Sequence, residues 1–474
     1  MTLDALKARL QKSQLVKRNT DAFVAALIFI LTSAVFLASP VRQIADSKFS
    51  MLTSESLIHR RTFTLDHYQI PDLAPVQTYG SASNTTLYQI EFRGGHYYHL
   101  YPPGSPLLSA PYVALLNLCG ISASHPDGSY NARGERLIQG SLASLLMGAL
   151  ASIFFFTARL LLPVVWSVPV ALGGALGTQI YSTASRALWT DTWGILLLGL
   201  ALLMLLADAV GRRRRLNPVL LATLLSWMYF ARPTYSLQIV CIAIYILVCR
   251  RQLFLSFALT GATWFALFIA YSEYLYNQPL PTYYYLVSQL KLDSFPVAFA
   301  GNLVSPSRGL LIYVPALLFV IYLHLRYAPS DAHAPLTRLA LAVCVAHLLL
   351  IACFSPWWSG HSYGPRYSTG LVPWFALLAM LGIKAMLVWR EERRKDDDTR
   401  AVEAGTRNAR TPASVYVGVA LLALSIFINL RGATASATWR WNLYPQNVDE
   451  HPERVWDWRH PQFLATKAET TPPP

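Results

Sequence analysis

The chain divides into long apolar runs separated by short polar stretches. Runs approaching the roughly 20 residues that cross a bilayer fall at Asp21–Ser39, Gly140–Phe156, Val168–Ala184, Thr192–Val210, Pro218–Phe230 and Tyr235–Cys249. Five more fall at Leu253–Tyr271, Leu310–His324, Leu339–Phe354, Leu371–Val388 and Ser414–Leu430, which makes eleven. No small-residue cleavage site follows the first run, so it is expected to stay as an anchor. Basic residues cluster between runs: Lys7, Arg9, Lys12, Lys17 and Arg18, then Arg212–Arg215, Arg250 with Arg251, and Arg390 with Arg393, Arg394 and Lys395. Such short basic loops are retained in the cytoplasm.

Parity settles the segment Ser105–Ile121, which is apolar but short and interrupted by Pro106 and Pro111. If it crossed the membrane, Arg212–Arg215 would fall outside, so it is read as a juxtamembrane helix on the outer surface. The expected fold is an all-α polytopic membrane protein with about 11 transmembrane helices, amino terminus inside and carboxyl terminus outside. Its parts are a basic cytoplasmic segment (1–20), a first span (21–39), a large periplasmic loop with juxtamembrane helices (40–139) and the remaining bundle (140–430). A charged cytoplasmic linker (391–412), a short periplasmic tail (431–474) and a frayed end at Pro472–Pro474 complete it.

Composition narrows the class further. Of 474 residues, 54% are hydrophobic and only 14% charged, against about a quarter in soluble domains. The net charge of +14 could suggest nucleic acid, but the bases lie in clusters between apolar runs, so no nucleic-acid partner is expected. The five cysteines, at 119, 241, 249, 344 and 353, show neither disulfide nor zinc spacing. No internal repeat is evident, which weighs against an inverted-repeat transporter.

The outer segments hold the candidate chemistry. Asp46 lies just past the first span, at headgroup level, where it could act as a general base or pair with Arg42. Glu55 is nine residues on, so on one helix the two acids would face opposite ways; sharing a site requires a break between them. The stretch Gly94–Gly104 carries His96, Tyr98, His99 and Tyr101 beside a Pro-Pro-Gly turn and could line a sugar or headgroup pocket, or form an interfacial aromatic belt. His96 and His99 could also ligate a metal, but no carboxylate joins them at a useful spacing, so neither metal nor other cofactor is assigned. Arg186 and Asp191, five apart, could pair with each other, and Asp191 could instead cap the helix it opens. Arg232 sits at the tip of a hairpin between two spans, a costly place unless it meets an acid, a carbonyl or a phosphate. Arg308 lies in a Gly-, Ser- and Pro-rich turn, and His361, Arg366 and Tyr367 lie in another. Three arginines, Arg232, Arg308 and Arg366, are thus directed to the outer rim, where guanidinium geometry suits a phosphate. His347, inside a span, is expected to bond a neighbouring helix.

With these residues in place, the chain resembles the polytopic glycosyltransferases of the GT-C superfamily. It is similar to the protein mannosyltransferases and to the aminoarabinose transferase that modifies lipid A. The resemblance rests on Asp46 past the first span, Tyr101–Gly104, Asp191 opening a later span, Ser305–Pro315, Trp357–Tyr367 and the tail Trp441–Trp458. It covers most of the chain. It implies inverting transfer of a hexose or pentose from a polyprenyl-phosphate donor to an extracytoplasmic protein, lipid A or polysaccharide acceptor, at the outer face of a bacterial inner membrane. By the same resemblance Asp46 matches the catalytic base, with Glu55 as the alternative first-loop acid, and Asp191 orients acceptor or sugar. Arg308 and Arg366 would hold the donor phosphate, with Arg232, Arg186, His96, Tyr98, Tyr101, His361 and Tyr367 among the substrate-binding residues. Where some relatives place two adjacent acids, this chain has Asp46-Ser47, which speaks against a metal-bridged acid pair. The competing reading is a lipid-linked glycan exporter or a relative of the O-antigen ligases and polymerases.

Overall fold

The computed structural model describes residues 3–75, 84–211, 216–287, 290–327, 333–404 and 413–470. The fold is 69% helical with almost no sheet. Its elements are α1 (Leu3–Ala38), α2 (Ser50–Arg60), β1 (Ile90–Arg93), β2 (His96–His99), α3 (Gly104–Leu118), α4 (Ala132–Arg159), α5 (Val164–Leu176) and α6 (Thr190–Ala209). They continue with α7 (Pro218–Ala231), α8 (Ser236–Cys249), α9 (Arg251–Tyr276), α10 (Thr282–Val287), α11 (Phe295–Val304), α12 (Leu310–Tyr313) and α13 (Ala316–Arg326). Last come α14 (Ala334–Ile351), α15 (Val372–Ala404), α16 (Ala413–Thr434) and α17 (Ser436–Arg440).

Seven helical stretches among the described residues are long and apolar enough to span a bilayer: Asn19–Ala38 of α1, α4, α6, α9, α14, Arg366–Lys395 leading into and along α15, and α16. The other four expected runs also coincide with helices, but shorter ones: α5, α7, α8 and α13. Local chemistry explains the shortening. The run Val168–Ala184 breaks after Gly177 into a π turn over Ile180–Ala184, and the run Leu310–His324 is interrupted at Val314–Pro315, between α12 and α13. The basic run Arg212–Arg215 and the end Pro472–Pro474 lie outside the described residues, and the expected linker Glu391–Pro412 is described only to Ala404, within α15.

Packing follows chain order on one side, where α1 lies on α4 and α4 contacts α5 and α6. On the other, α7 contacts α6 and α9, α8 contacts α9 and α14, and α13 lies between α15 and α16. Small residues let backbones approach, as expected when apolar faces alone do not select partners. A Cβ on Gly148 of α4 would meet Ser33 Oγ of α1 at 2.0 Å. The faces turned away from the core stay apolar, with Phe23, Leu255 and Tyr416 each about two-thirds exposed or more, as suits contact with lipid.

The segment 40–139, between α1 and α4, is not helical throughout. Residues 90–99 form an antiparallel hairpin joined by Gly94 and Gly95, both with positive φ (56° and 86°), as a tight primed turn requires. The expected segment Ser105–Ile121 is helical as α3 and packs on α2, α4 and α7. Its first residue, Gly104, lies so close to the end of α7 that a Cβ would sit 2.5 Å from Ala231 N.

Candidate functional site

The loop carrying Asp46 is fastened from both sides. Where α1 ends, its free carbonyls take guanidinium donors, the usual remedy for unpaired groups at a helix carboxyl end. Arg42 donates to Leu37 O at 2.8 Å, and Arg186 donates to Phe36 O at 2.6 Å and Ser39 O at 3.2 Å. On the far side of Asp46, two α4 side chains one turn apart hold the chain. Gln139 accepts from Ser47 Oγ at 2.7 Å and donates to Ser47 O at 2.8 Å, and Glu135 accepts from Phe49 N at 3.0 Å and Met51 N at 3.1 Å. Glu135 thereby caps α2 from another helix, while Phe49 turns the chain with φ of 72°. Neither α4 residue was singled out from sequence, because each works through the backbone of a segment some 90 residues away.

Asp46 forms an ion pair with Arg366, which lies in the 3-10 turn Arg366–Leu371 before α15. The guanidinium is laid flat on the Trp189 ring at 3.8 Å, a cation–π contact. Its Nε is buried without a partner. The turn itself is held from behind, where His347 Nε2 meets Tyr367 O at 3.0 Å and Gln179 donates to Ser368 Oγ at 3.1 Å. The expected bond from His347 is therefore made to backbone of this turn. Beside it, Asp191 pairs with buried Arg232 and accepts from Tyr235 OH at 3.4 Å. Arg232 thus meets an acid, and the expected partnership of Arg186 with Asp191 is not made. Asp191 lies in the first turn of α6 but accepts no bond from the helix end, so it is not the cap.

A narrow cavity of about 10 Å³, room for about one water molecule, opens at Asp46, lined by Ser47, Ser50, His99, Tyr101, Ser105 and Thr190 among others. His99 is buried and neither ring nitrogen nor Ser105 Oγ has a hydrogen-bond partner. Burial pushes the imidazole down to about 4, against the smaller upward pull of the neighbouring backbone and Asp46. Tyr101, whose ring lies 5.0 Å from that of Tyr283, is raised by burial and then by the Asp46 charge, and Tyr88 likewise. The ionised Asp46 and Arg366 are also felt at Tyr283 and Tyr367, so these rings belong to the same neighbourhood.

Several expected site residues stand elsewhere. Glu55 accepts from Ser122 Oγ, Ala123 N and Ser124 Oγ at 2.6–2.8 Å and does not line the Asp46 cavity; the break between the acids exists, but it does not bring them together. His96 is exposed and pairs with Asp66 at 2.7 Å, so of the two histidines it is His99 that faces the cavity. Tyr98 packs on Tyr276 at 5.1 Å, away from Asp46. His361 bonds Asn447 Oδ1 at 2.7 Å in the tail.

Arg308 is the largest correction. Its Nε donates to Trp358 O at 2.7 Å. Nη1 donates to Ser307 O and Gln462 Oε1, and Nη2 to Gly360 O and Asn442 Oδ1, at 2.6–3.2 Å. A guanidinium has five N–H donors, and protein acceptors take all of them, leaving none for a phosphate. Arg186 is likewise spent on carbonyls and on Ser185 Oγ, and burial, helped by the like charge of Arg42, lowers it to about 9.

Among the described residues no three His, Cys, Asp or Glu side chains gather as a metal site. No family model matches this chain, and no curated protein matches it. Geometry alone therefore defines the site: two carboxylates, each held by one arginine, brought together from four separate segments, with Asp46 also lining the small cavity.

Proposed function

We propose that the protein is a membrane glycosyltransferase that moves a sugar from a polyprenyl-phosphate donor to an extracytoplasmic acceptor, with inversion. In this reading the helices form eleven spans with the amino terminus in the cytoplasm, and the Asp46 end of the bundle faces outward. The observation that carries it is the adjacency of two acid–arginine pairs, Asp46 with Arg366 and Asp191 with Arg232, the first of these acids also lining a small cavity with His99 and Tyr101. A carboxylate beside paired guanidinium groups has the parts that sugar transfer from a phosphate needs. Asp46 takes the proton of the acceptor hydroxyl as its oxygen attacks the anomeric carbon. The bond from that carbon to the phosphate oxygen breaks, and the departing polyprenyl phosphate leaves its charge beside Arg366 and Arg232. Asp191 keeps Arg232 placed, while Tyr101, Tyr283 and Tyr367 supply ring faces and hydroxyls for the sugar.

The test is to incubate purified protein with a panel of polyprenyl-phosphate sugars and measure released polyprenyl phosphate. Release with at least one donor is expected, and it should disappear in Asp46→Asn while membrane insertion and abundance stay normal. No release with any donor would favour a lipid-linked glycan exporter, and near-normal release by Asp46→Asn would remove Asp46 as the base.

A further inference from the structure

The base proposed above is held by a guanidinium. Arg366 engages Asp46 Oδ2, and this paired positive charge stabilises the carboxylate and weakens it as a proton acceptor. The arginine cannot swing away easily, because the Trp189 ring lies against it at 3.8 Å and the turn that bears it is tied to His347 and Gln179. Yet its bonding is incomplete, since Nε is buried with no acceptor. Next to it Arg232 is also matched by one carboxylate, and the two like charges act on each other. The four charges cancel, two against two. An added anion would therefore find two guanidinium groups whose present partners are the protein's own carboxylates.

Resting on the glycosyltransferase reading, we infer that Asp46 occupies the place of the donor phosphate on Arg366, so that arrival of the phosphate is what releases Asp46 to act as base. The two anions are alternatives for one guanidinium, which makes their occupancy of Arg366 mutually exclusive and their coupling unfavourable. Phosphate competes well, because a guanidinium can take it in two parallel N–H···O bonds, and here Nε is the spare donor. The sequence of events is then fixed. The donor seats first, the carboxylate is freed second, and an acceptor that arrives at an empty site meets a base already engaged. This protects the protein from opening the wrong half of the reaction, since no proton is taken until the leaving group is in place.

The inference separates from the function it rests on. Wild type, Asp46→Asn and Arg366→Ala in lipid nanodiscs are titrated with polyprenyl phosphate and, in parallel, with inorganic phosphate. Asp46→Asn keeps an oxygen acceptor but removes the competing charge, so it is expected to bind polyprenyl phosphate at least tenfold more tightly than wild type while its transfer is lost. Arg366→Ala is expected to bind it at least tenfold more weakly. The same ranking with inorganic phosphate would show that the anion alone displaces Asp46; the ranking with the lipid form only would assign the displacement to a membrane-held phosphate. Both outcomes support the exchange. Equal or weaker binding by Asp46→Asn than by wild type overturns it even where wild type transfers sugar. Absence of binding to wild type, with no donor cleaved, overturns the functional reading together with it. Should Asp46→Asn not yield a folded protein, Asp46→Ser carries the same comparison.

Discussion

Arg308 and Arg366 come from two segments rich in Gly, Ser and Pro, Ser305–Pro315 and Trp357–Tyr367, and both stand just before a helix. Their surroundings make them opposites. Arg308 sits among carbonyl and amide oxygens from the 357–360 segment and the tail, bonded by every N–H it has, and burial lowers it to about 10 without a carboxylate in contact. Arg366 has one carboxylate and one aromatic face, and its Nε is buried without an acceptor. The lesson is that an arginine's role depends on what saturates it. Neutral dipoles in full number make a tie, whereas a single exchangeable charge makes a binding group.

Three measurements test how far this contrast reaches. The largest effect is expected from Arg308→Ala, which removes the guanidinium donor from three carbonyls and from the amide oxygens of Gln462 and Asn442. Each buried acceptor left unsatisfied costs about 1–3 kcal/mol, so the thermal midpoint of the solubilised protein should fall steeply. An unchanged midpoint would abolish the contrast. For Arg366→Ala, the loss should be in transfer, about 10²–10³-fold as for a lost oxyanion donor, with a smaller drop in thermal midpoint than for Arg308→Ala. The reverse order of stability would show that Arg366 is the tie.

A third effect concerns acid. His99, on the Arg366 side, is held at about 4 by burial, below the usual value of 6.5 that the unfolded chain would show. Between those two values the unfolded state binds a proton that the folded state does not, so stability falls as pH drops from 6.5 towards 4 and levels off below. The full loss is about 3 kcal/mol for that shift. Midpoints measured from pH 7 to pH 4 should show the decline in wild type and a shallower one in His99→Gln. Parallel curves would place the acid sensitivity elsewhere.

Much of the architecture was readable in the sequence because lipid imposes a local rule. A span must be apolar along its own length, and nine of the eleven runs lie on single helices while Val168–Ala184 and Leu310–His324 are each broken. The hairpin at 90–99 also left a local mark, alternating residues around Gly94-Gly95, which the helical expectation passed over. Asp46 and Arg366 were both singled out, but not their partnership. The pairs Asp46–Arg366 and Asp191–Arg232 join positions 320 and 41 apart, and nothing in either segment names the other. The misplacements have the same origin. Whether Arg186, Arg308 or Glu55 is free or spent depends on Ser39, Gln462 and Ser122 respectively, all distant in sequence. Polarity is a property of a residue, whereas saturation is a property of the fold.

That long separation also has a consequence for biosynthesis. Asp46 leaves the ribosome early, and its arginine follows 320 residues later. At about 5–20 residues per second that interval is roughly 15–60 seconds. Throughout it the nascent chain carries Asp46 without its arginine, with α3 waiting for the end of α7 to be made before Gly104 can seat. The Arg308 tie closes later still, when Gln462 emerges. The Asp46–Arg366 pair is therefore among the later parts of the molecule to form, and a ribosome stalled midway leaves early helices but no assembled pair.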